Sequence, residues 1–312
     1  MIEFKNVYKK YEHNDNTAIN DLNLQIKDGD FFVLVGPSGS GKTTTLKMIN
    51  RLIKQTSGNI TIDGKKIDDF NLQEMRLQMG YVLQNIALFP NMTIEDNITI
   101  QPESLKWSKE RRHQVAFDLL KKVGLDPEKY AKRLPHELSG GEQQRVGIVR
   151  ALASNPKIVL MDEPFSALDP ISRNQLQELV LKLHQEMKMT FIFVTHDMNE
   201  ALRLGNTIAI MRTGHLEQIG SRDEIINNPK NNFVDGFFKN QHNDDKKIKL
   251  IIDSQDCSEV DKQAADLNEE DNISDLARLL KEKDFVLVES SDERIWKLTT
   301  QSLLNYLARD GE

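Results

Sequence analysis

Eight consecutive residues, Gly36-Pro37-Ser38-Gly39-Ser40-Gly41-Lys42-Thr43, bring together the side-chain types that a polyphosphate requires. Glycines let successive backbone N–H groups point at one anion without Cβ obstruction. Lys42 supplies a charge that can reach β- and γ-phosphates, and the Thr43 hydroxyl is a ligand for Mg²⁺. The flanks give the motif its meaning. The apolar run Phe31–Val35 precedes it, and Thr44-Thr45-Leu46-Lys47-Met48-Ile49 follows with helical spacing. The order is therefore strand, glycine turn and helix N-terminus, and the positive end of that helix adds to the attraction. The stretch predicts a nucleoside triphosphate site with Gly36 to Thr44 around the phosphates.

Further candidates sit at the ends of other apolar runs. Lys157–Met161 is a buried-type strand leading into Asp162-Glu163. One carboxylate at that point can hold Mg²⁺ and the next can polarise an attacking water, although two adjacent acids also suit a solvated turn. Phe191–Thr195 is a buried-type strand with His196 at its C-terminal end. A lone histidine is commonly structural, yet this one is expected on the same sheet edge as Lys42 and Glu163. Gly80–Leu83 reads as a short strand ending at Gln84, and in open α/β sheets ligand groups lie at such ends. Leu138-Ser139-Gly140-Gly141-Glu142 opens a helix, with Ser139 and Glu142 at capping-box spacing. Its glycines leave the first N–H groups open to an anion, though an ordinary capped helix explains the stretch equally well. Tyr11 suits either stacking on a base or a plain position on a surface strand. Ser166-Ala167-Leu168-Asp169-Pro170 closes the acid turn ahead of a helix with Leu176, Leu179, Val180, Leu183 and Met187 on one face.

The elements that must position these residues are those of an α/β fold with added antiparallel and helical parts. Ile2-Glu3-Phe4 and Val7-Tyr8 alternate like the start of an edge strand, and Leu22–Ile26 alternates cleanly. Ile60-Thr61-Ile62 followed by Asp63-Gly64 reads as a strand entering a tight hairpin. A mostly helical region follows Gln84, in which Val115, Leu119, Leu120 and Val123 share a face and Gly124 supplies the stop. Ile208–Met211 and Leu216–Ile219 close the sheet, and Ser221 with Glu224 caps a helix ending near Pro229.

Composition narrows the class. A chain of 312 residues suits two domains, and 38% hydrophobic with 29% charged residues describes a soluble globular protein. No apolar run has the length of a membrane helix, and the MIEFKNVYKKY start lacks a signal-peptide core, so the chain reads as cytosolic. A single cysteine, Cys257, excludes an internal disulfide framework and a multi-cysteine metal site. The net charge of −7 is unevenly placed: 18 acidic and 11 basic side chains fall from Lys239 onward, and 30 of each precede it. No electrostatic argument favours nucleic acid as a partner. The tail reads as a separate acidic module.

Taken together, GPSGSGKT, Gln84, LSGGEQQR (Leu138–Arg145), IVLMDEP (Ile158–Pro164), SALD (Ser166–Asp169) and His196 resemble the ATP-binding subunits of ABC transporters over residues 1 to about 238. The resemblance implies a P-loop NTPase fold and a head-to-tail homodimer with two ATPs at its interface. Each ATP would lie between the phosphate loop of one chain and Ser139-Gly140-Gly141 of the other. By the same resemblance Tyr11 stacks on adenine, Gln84 is a Mg²⁺ and water ligand that senses the membrane subunit, Glu163 is the general base, His196 contacts the γ-phosphate, and Asp169 bridges the dimer. Asp162 joins Thr43 and Gln84 on the metal side. The partners implied are two integral-membrane permease subunits and an extracellular substrate-binding protein, with the ATPase peripheral on the cytoplasmic face of the membrane.

TTTLKMINRLI (Thr43–Ile53) and MGYVLQNIALFPNMTIEDNI (Met79–Ile98) narrow the resemblance to importers of osmoprotectant quaternary amines: glycine betaine, carnitine and choline. Methionine and polyamine importers share less of this wording. A soluble translational ABC protein would carry two cassettes, a DNA-repair one a long coiled-coil insertion, and a non-hydrolysing module would have lost Glu163 or His196. That importer family often adds paired CBS modules. Here 239–247 reads as a polar linker, and 248–312 resembles one degenerate CBS repeat, an α+β regulatory or dimerising domain. The family's Thr-x-x-Asp pattern reads Thr299-x-x-Ser302. The Ile273, Leu276 and Leu280 face beside Trp296 is expected to pack on the same face of a second copy.

Overall fold

In a computed structural model of the chain, residues 1–11, 17–166, 168–242, 248–254, 257–260, 264–271, 273–281, 283–292 and 294–309 are described. Ala167 and residues 243–247 of the expected linker lie outside them. The chain divides into two compact units, Met1–Phe237 and Phe238–Glu312.

The first unit holds two sheets. One is antiparallel, in the order β2 (Thr17–Ile26), β1 (Ile2–Lys10), β4 (Ser57–Ile62), β5 (Lys65–Lys66). The other has the order β10 (His215–Gly220), β9 (Thr207–Arg212), β3 (Phe31–Val35), β8 (Thr190–Thr195), β7 (Ile158–Asp162), β6 (Met79–Val82). All neighbours in it run parallel except β10 against β9. The expectation of an edge strand at Ile2–Tyr8 is corrected: β1 is paired on both sides, with β2 and β4. Alternation reports that one face is buried and says nothing about neighbours in the plane of the sheet.

The runs that read as continuously apolar, Phe31–Val35 and Phe191–Thr195, are buried at every position because the parallel sheet is covered on both faces. Phe32 and Leu34, with Leu160, Ile192 and Val194, pack into one cluster with Phe4, Leu22, Ile26 and Ile60 of the antiparallel sheet and Leu46 of the phosphate-loop helix. On β3 and β8 the alternate residues point the other way. There Phe31 meets His184 of the Pro170–Met187 helix with ring centroids 5.1 Å apart, and Phe193 meets Phe165 at 5.3 Å.

Register decides where the site lies. Val35 pairs with Thr195, Asp162 with Val194, and Met161 with Val82. The C-terminal ends of four parallel strands therefore stand level at one sheet edge, where an open α/β sheet binds its ligands. The helices Ile94–Ser104, Lys109–Lys122 and Gly140–Leu152 form the helical part expected after Gln84.

The second unit is a four-stranded sheet in the order β11 (Ser258–Val260), β14 (Ile295–Thr299), β13 (Phe285–Glu289), β12 (Leu267–Asn268), with helices Lys249–Asp253, Ile273–Leu279 and Thr300–Arg309. The expected packing of its apolar face on another copy is corrected. Leu276 is fully buried inside the unit's own cluster with Ile248, Ile251, Val286, Val288 and Leu298, and Ile273, Leu280 and Trp296 pack against that cluster. Helix Asn232–His242 runs through the first four residues of the expected linker.

Candidate functional site

The phosphate loop leaves β3 at Gly36 and enters the Lys42–Ile49 helix, whose N-cap is Gly41 at φ 101°. Two of its glycines are dictated by crowding as well as by conformation. A Cβ at Gly36 would stand 2.1 Å from the Met211 carbonyl oxygen, and one at Gly41 2.8 Å from that of Ala18. Gly39, at φ 76°, has open space where its Cβ would be. The loop is thus packed down on β2 and β9 while part of it stays open above.

Lys42 is 5% exposed, and its ammonium donates to the carbonyls of Gly36 at 2.7 Å and Pro37 at 3.0 Å. Burial lowers its pKa below the usual lysine range, against the opposing pull of Glu163 and Asp162. Thr43 Oγ1 donates to Asp162 Oδ1 at 2.8 Å, with Lys47 Nζ 4.0 Å from the other carboxylate oxygen. Burial raises the Asp162 pKa, although Thr43, Lys47 and Lys42 oppose the rise. A hydroxyl and a carboxylate side by side form an all-oxygen donor pair that fits a hard cation such as Mg²⁺, which takes few protein ligands and completes its shell with phosphate and water. Ser40 Oγ is buried with no hydrogen-bond partner among the described residues, which suits a loop built to wrap an acceptor-rich ligand.

Glu163 follows β7 with its backbone in the left-handed region, φ 43°, held by its N–H donating to the Val194 carbonyl at 3.0 Å. Its Oε2 is 3.1 Å from His196 Nδ1, so the acid and the histidine of neighbouring strands meet. Tyr11 lies beside the loop with its hydroxyl 3.2 Å from Thr44 Oγ1 and Lys9 Nζ 4.9 Å from its ring centroid. Tyr11, Ser38, Gly39, Ser40, Gly41, Lys42, Thr43, Thr44 and Glu163 line one cleft of about 880 Å³. That places the tyrosine next to phosphate-loop residues, the arrangement stacking on a base would need.

The other expected residues do not reach this cleft within one chain. Gln84 is exposed two residues beyond the end of β6, which stops at Val82 and not at Leu83. Ser139 caps the Gly140–Leu152 helix in a reciprocal box, its N–H donating to Glu142 Oε2 at 2.8 Å. Gly140 and Gly141 leave the first turn uncovered: the nearest atom to a Cβ at either is Ser172 Oγ, 3.9 Å from Gly141's. This segment borders a separate cavity of about 250 Å³ with Tyr130, Arg145 and Ser172. Asp169 caps the Pro170–Met187 helix through N–H groups of Ile171 and Ser172, and hydrogen bonding from Ser172 holds its carboxyl below the usual range.

Two buried polar groups behind the site escape sequence reading. Gln144 Nε2 donates to the Pro164 carbonyl at 2.6 Å, and the Thr195 hydroxyl donates to Glu200 Oε2 at 2.6 Å while accepting from the Asp197 N–H at 3.0 Å. Glu200 also accepts from Gln177 at 3.3 Å, and burial raises its pKa. A polar residue on a helix reads as surface unless its partner is known.

The profile of the ABC transporter family matches residues 19–166. The chain is 44% identical over 95% of its length to the choline transport ATP-binding protein OpuBA of Bacillus subtilis, covering 77% of that protein. It is 45% identical over 91% of its length to the glycine betaine/carnitine/choline transport ATP-binding protein OpuCA of the same organism, covering 73% of it. Among solved structures, the dimeric post-hydrolysis state of the ATP-binding cassette MJ0796 bound to ADP and Pi matches with a TM-score of 0.63 at 38% identity, over 71% of this chain and 99% of that one.

Proposed function

The chain belongs to the ABC transporter family of ATP-binding proteins, and from that premise we propose that it powers uptake of an osmoprotectant quaternary amine: glycine betaine, carnitine or choline. The observation that carries the cargo class is that the relatives matched over more than nine-tenths of this chain are named for choline, glycine betaine and carnitine transport.

In this reading the loop amides and Lys42 bind the β- and γ-phosphates, and Tyr11 stacks on the adenine. Thr43 and Asp162 would hold Mg²⁺, with Gln84 joining them only if it moves in from beyond β6, and the ion would neutralise charge on the phosphates. Glu163 accepts a proton from the attacking water, and His196 orients the Glu163 carboxylate and contacts the γ-phosphate. Two copies assemble head to tail, so that Ser139-Gly140-Gly141 of each completes the site of the other and Asp169 bridges them. The uncovered first turn at Gly140 and Gly141 supports this, since the nearest atom to a Cβ at either is Ser172 Oγ, 3.9 Å from Gly141's.

Two permease subunits dock near Gln84, a reading supported by an open groove of about 570 Å³ lined by Tyr81 and Phe89, which flank Gln84 in sequence, with Leu72, Leu77 and Met79. No described helix is long and apolar enough to cross a membrane, and we place the subunit on the cytoplasmic face through those permeases. A substrate-binding protein presenting an aromatic cage would select the quaternary ammonium. We read residues 1–238 as the ATPase, 239–247 as the linker and 248–312 as a degenerate CBS-like regulatory domain. In it Thr299 and Ser302 bond each other reciprocally at 3.1 and 3.3 Å, so Ser302 serves as a helix-capping partner where that pattern has an aspartate.

The test is uptake. Cells producing this chain with its permease and binding protein should accumulate labelled glycine betaine, carnitine or choline, and a Glu163→Gln chain should abolish it. Accumulation of methionine or a polyamine in place of all three would overturn the cargo class.

A further inference from the structure

The turn that carries Glu163 is anchored from several sides, and one anchor comes from a distant helix. The Glu163 N–H donates to Val194 on β8, and its carbonyl accepts from Ser166 N at 3.3 Å and Ser166 Oγ at 3.1 Å. The next residue, Pro164, has no N–H, so its carbonyl is the only backbone group through which it can be held. That carbonyl accepts the Gln144 amide at 2.6 Å, and Gln144 is 3% exposed. A buried acceptor of this kind is costly to leave unpaired.

Gln144 stands in the second turn of the helix that Ser139 caps, and the start of that helix is stiffly built. Glu142 accepts from the Ser139 N–H at 2.8 Å and from the Tyr130 hydroxyl at 2.5 Å, and Gln143 Nε2 donates to the Leu138 carbonyl at 3.0 Å. A shift of Ser139-Gly140-Gly141 is therefore passed along a rigid helix turn to Gln144, and through one hydrogen bond to the residue after Glu163.

We propose that Gln144 is a positioning residue: it holds Glu163 in its left-handed backbone and ties the base of one ATP site to the helix N-terminus that contacts the other ATP. This rests on the reading of Glu163 as the base and of Ser139–Gly141 as the contact to the partner's nucleotide. Loss of the amide donor frees the Pro164 carbonyl to turn toward solvent, and the Glu163 carboxylate moves with it. A displacement of about 1 Å at a reacting group costs roughly a hundredfold in rate.

The experiment compares full-length wild type, Gln144→Met, Gln144→Glu and Glu163→Gln for binding of a fluorescent ATP analogue and for ATPase kinetics across pH. Gln144→Met, of similar length but without a donor, should keep analogue affinity within about twofold and lose kcat by roughly 10- to 100-fold. Its Hill coefficient for ATP should fall toward one, because the two sites are no longer tied. Gln144→Glu can donate to Pro164 only when protonated, and a buried carboxyl titrates above its usual range. Its kcat relative to wild type should therefore climb as pH falls from about 8.5 to about 6, whereas the Gln144→Met ratio stays flat. A merely structural glutamine would not give that difference in pH profile. If both Gln144 variants turn over like wild type at every pH while Glu163→Gln is inactive, the proposal is overturned. If Gln144→Met loses analogue binding as well as turnover, its role is packing and the proposal is again overturned. Wild-type turnover by Glu163→Gln would instead fault the reading of the base on which it rests.

Discussion

Glu163 combines two properties that separate substitutions can pull apart. Its carboxylate is within 3.1 Å of His196 Nδ1, and its backbone occupies a region that costs a non-glycine residue on the order of 1–2 kcal/mol. Glu163→Gln keeps size and backbone and removes the basic oxygen. Turnover should fall by roughly 10² to 10⁴-fold, the worth of a positioned base, or about 3 to 5 kcal/mol in barrier. ATP should still bind, and an ATP-dependent dimer should accumulate because hydrolysis is what reopens it. Glu163→Gly is equally inactive but relieves the left-handed conformation and removes a carboxylate that disfavours ionisation of Asp162. Its unfolding midpoint should rise by about 2–4 °C for each kcal/mol of strain released in a unit of this size. Steady-state phosphate release, size-exclusion chromatography with ATP, and thermal unfolding without nucleotide read the three effects. A Glu163→Gly chain less stable than wild type would refute the strain argument, and normal turnover by Glu163→Gln would refute the chemistry.

Two other substitutions probe the buried charges of the same cleft. Lys42→Ala should weaken ATP binding by roughly 10- to 150-fold, since a hydrogen bond to a charged group contributes about 1.5–3 kcal/mol; unchanged affinity for a fluorescent ATP analogue would remove Lys42 from the phosphate site. For Asp162 the folded pKa is raised above its unfolded value, so ionising it destabilises the fold as pH climbs through that window and the cost is fully present above the folded pKa. Asp162→Asn should therefore be more stable than wild type near neutral pH, with an advantage that vanishes below about pH 4, and it should bind nucleotide with reduced Mg²⁺ dependence. Chemical denaturation at several pH values checks this, and an advantage that grows on acidification contradicts the sign.

The parts of the site that were legible in the sequence are those where burial and function meet at a strand end. Phe31–Val35, Ile158–Met161 and Phe191–Thr195 are continuous apolar runs because the parallel sheet is covered on both faces, and each run stops where a polar group faces ligand. Capping boxes at Ser139 and Ser221 were readable because both partners lie within one turn. The rest depends on tertiary neighbours. That β1 is central and not an edge is a property of β2 and β4, so its own alternation cannot reveal it. Strands of three and two residues, β11 and β12, are too short to show a period. The left-handed backbone at Glu163 has no residue-type signal, since neither glycine nor asparagine marks it.

Several costly conformations and burials of the first unit gather around one cleft. Lys42 and Asp162 are nearly buried charges whose pKa values move toward the neutral form, Ser40 has a buried hydroxyl without a partner among the described residues, and Glu163 is strained. Each is a defect by the ordinary rules of folding; a polyanion offsets the buried Lys42 charge and gives the Ser40 hydroxyl an acceptor, while the Asp162 carboxylate calls for a cation. Glu200 makes the contrast. It too is a buried carboxyl with a raised pKa, but Thr195 and Gln177 already donate to it, so it stiffens the turn beneath His196 and asks nothing of a ligand. The division predicts where nucleotide stabilises the protein: occupancy of the cleft should protect the loop Gly36–Thr43 and the turn after Asp162 from hydrogen exchange, while the amides around Glu200 should be protected before nucleotide is added.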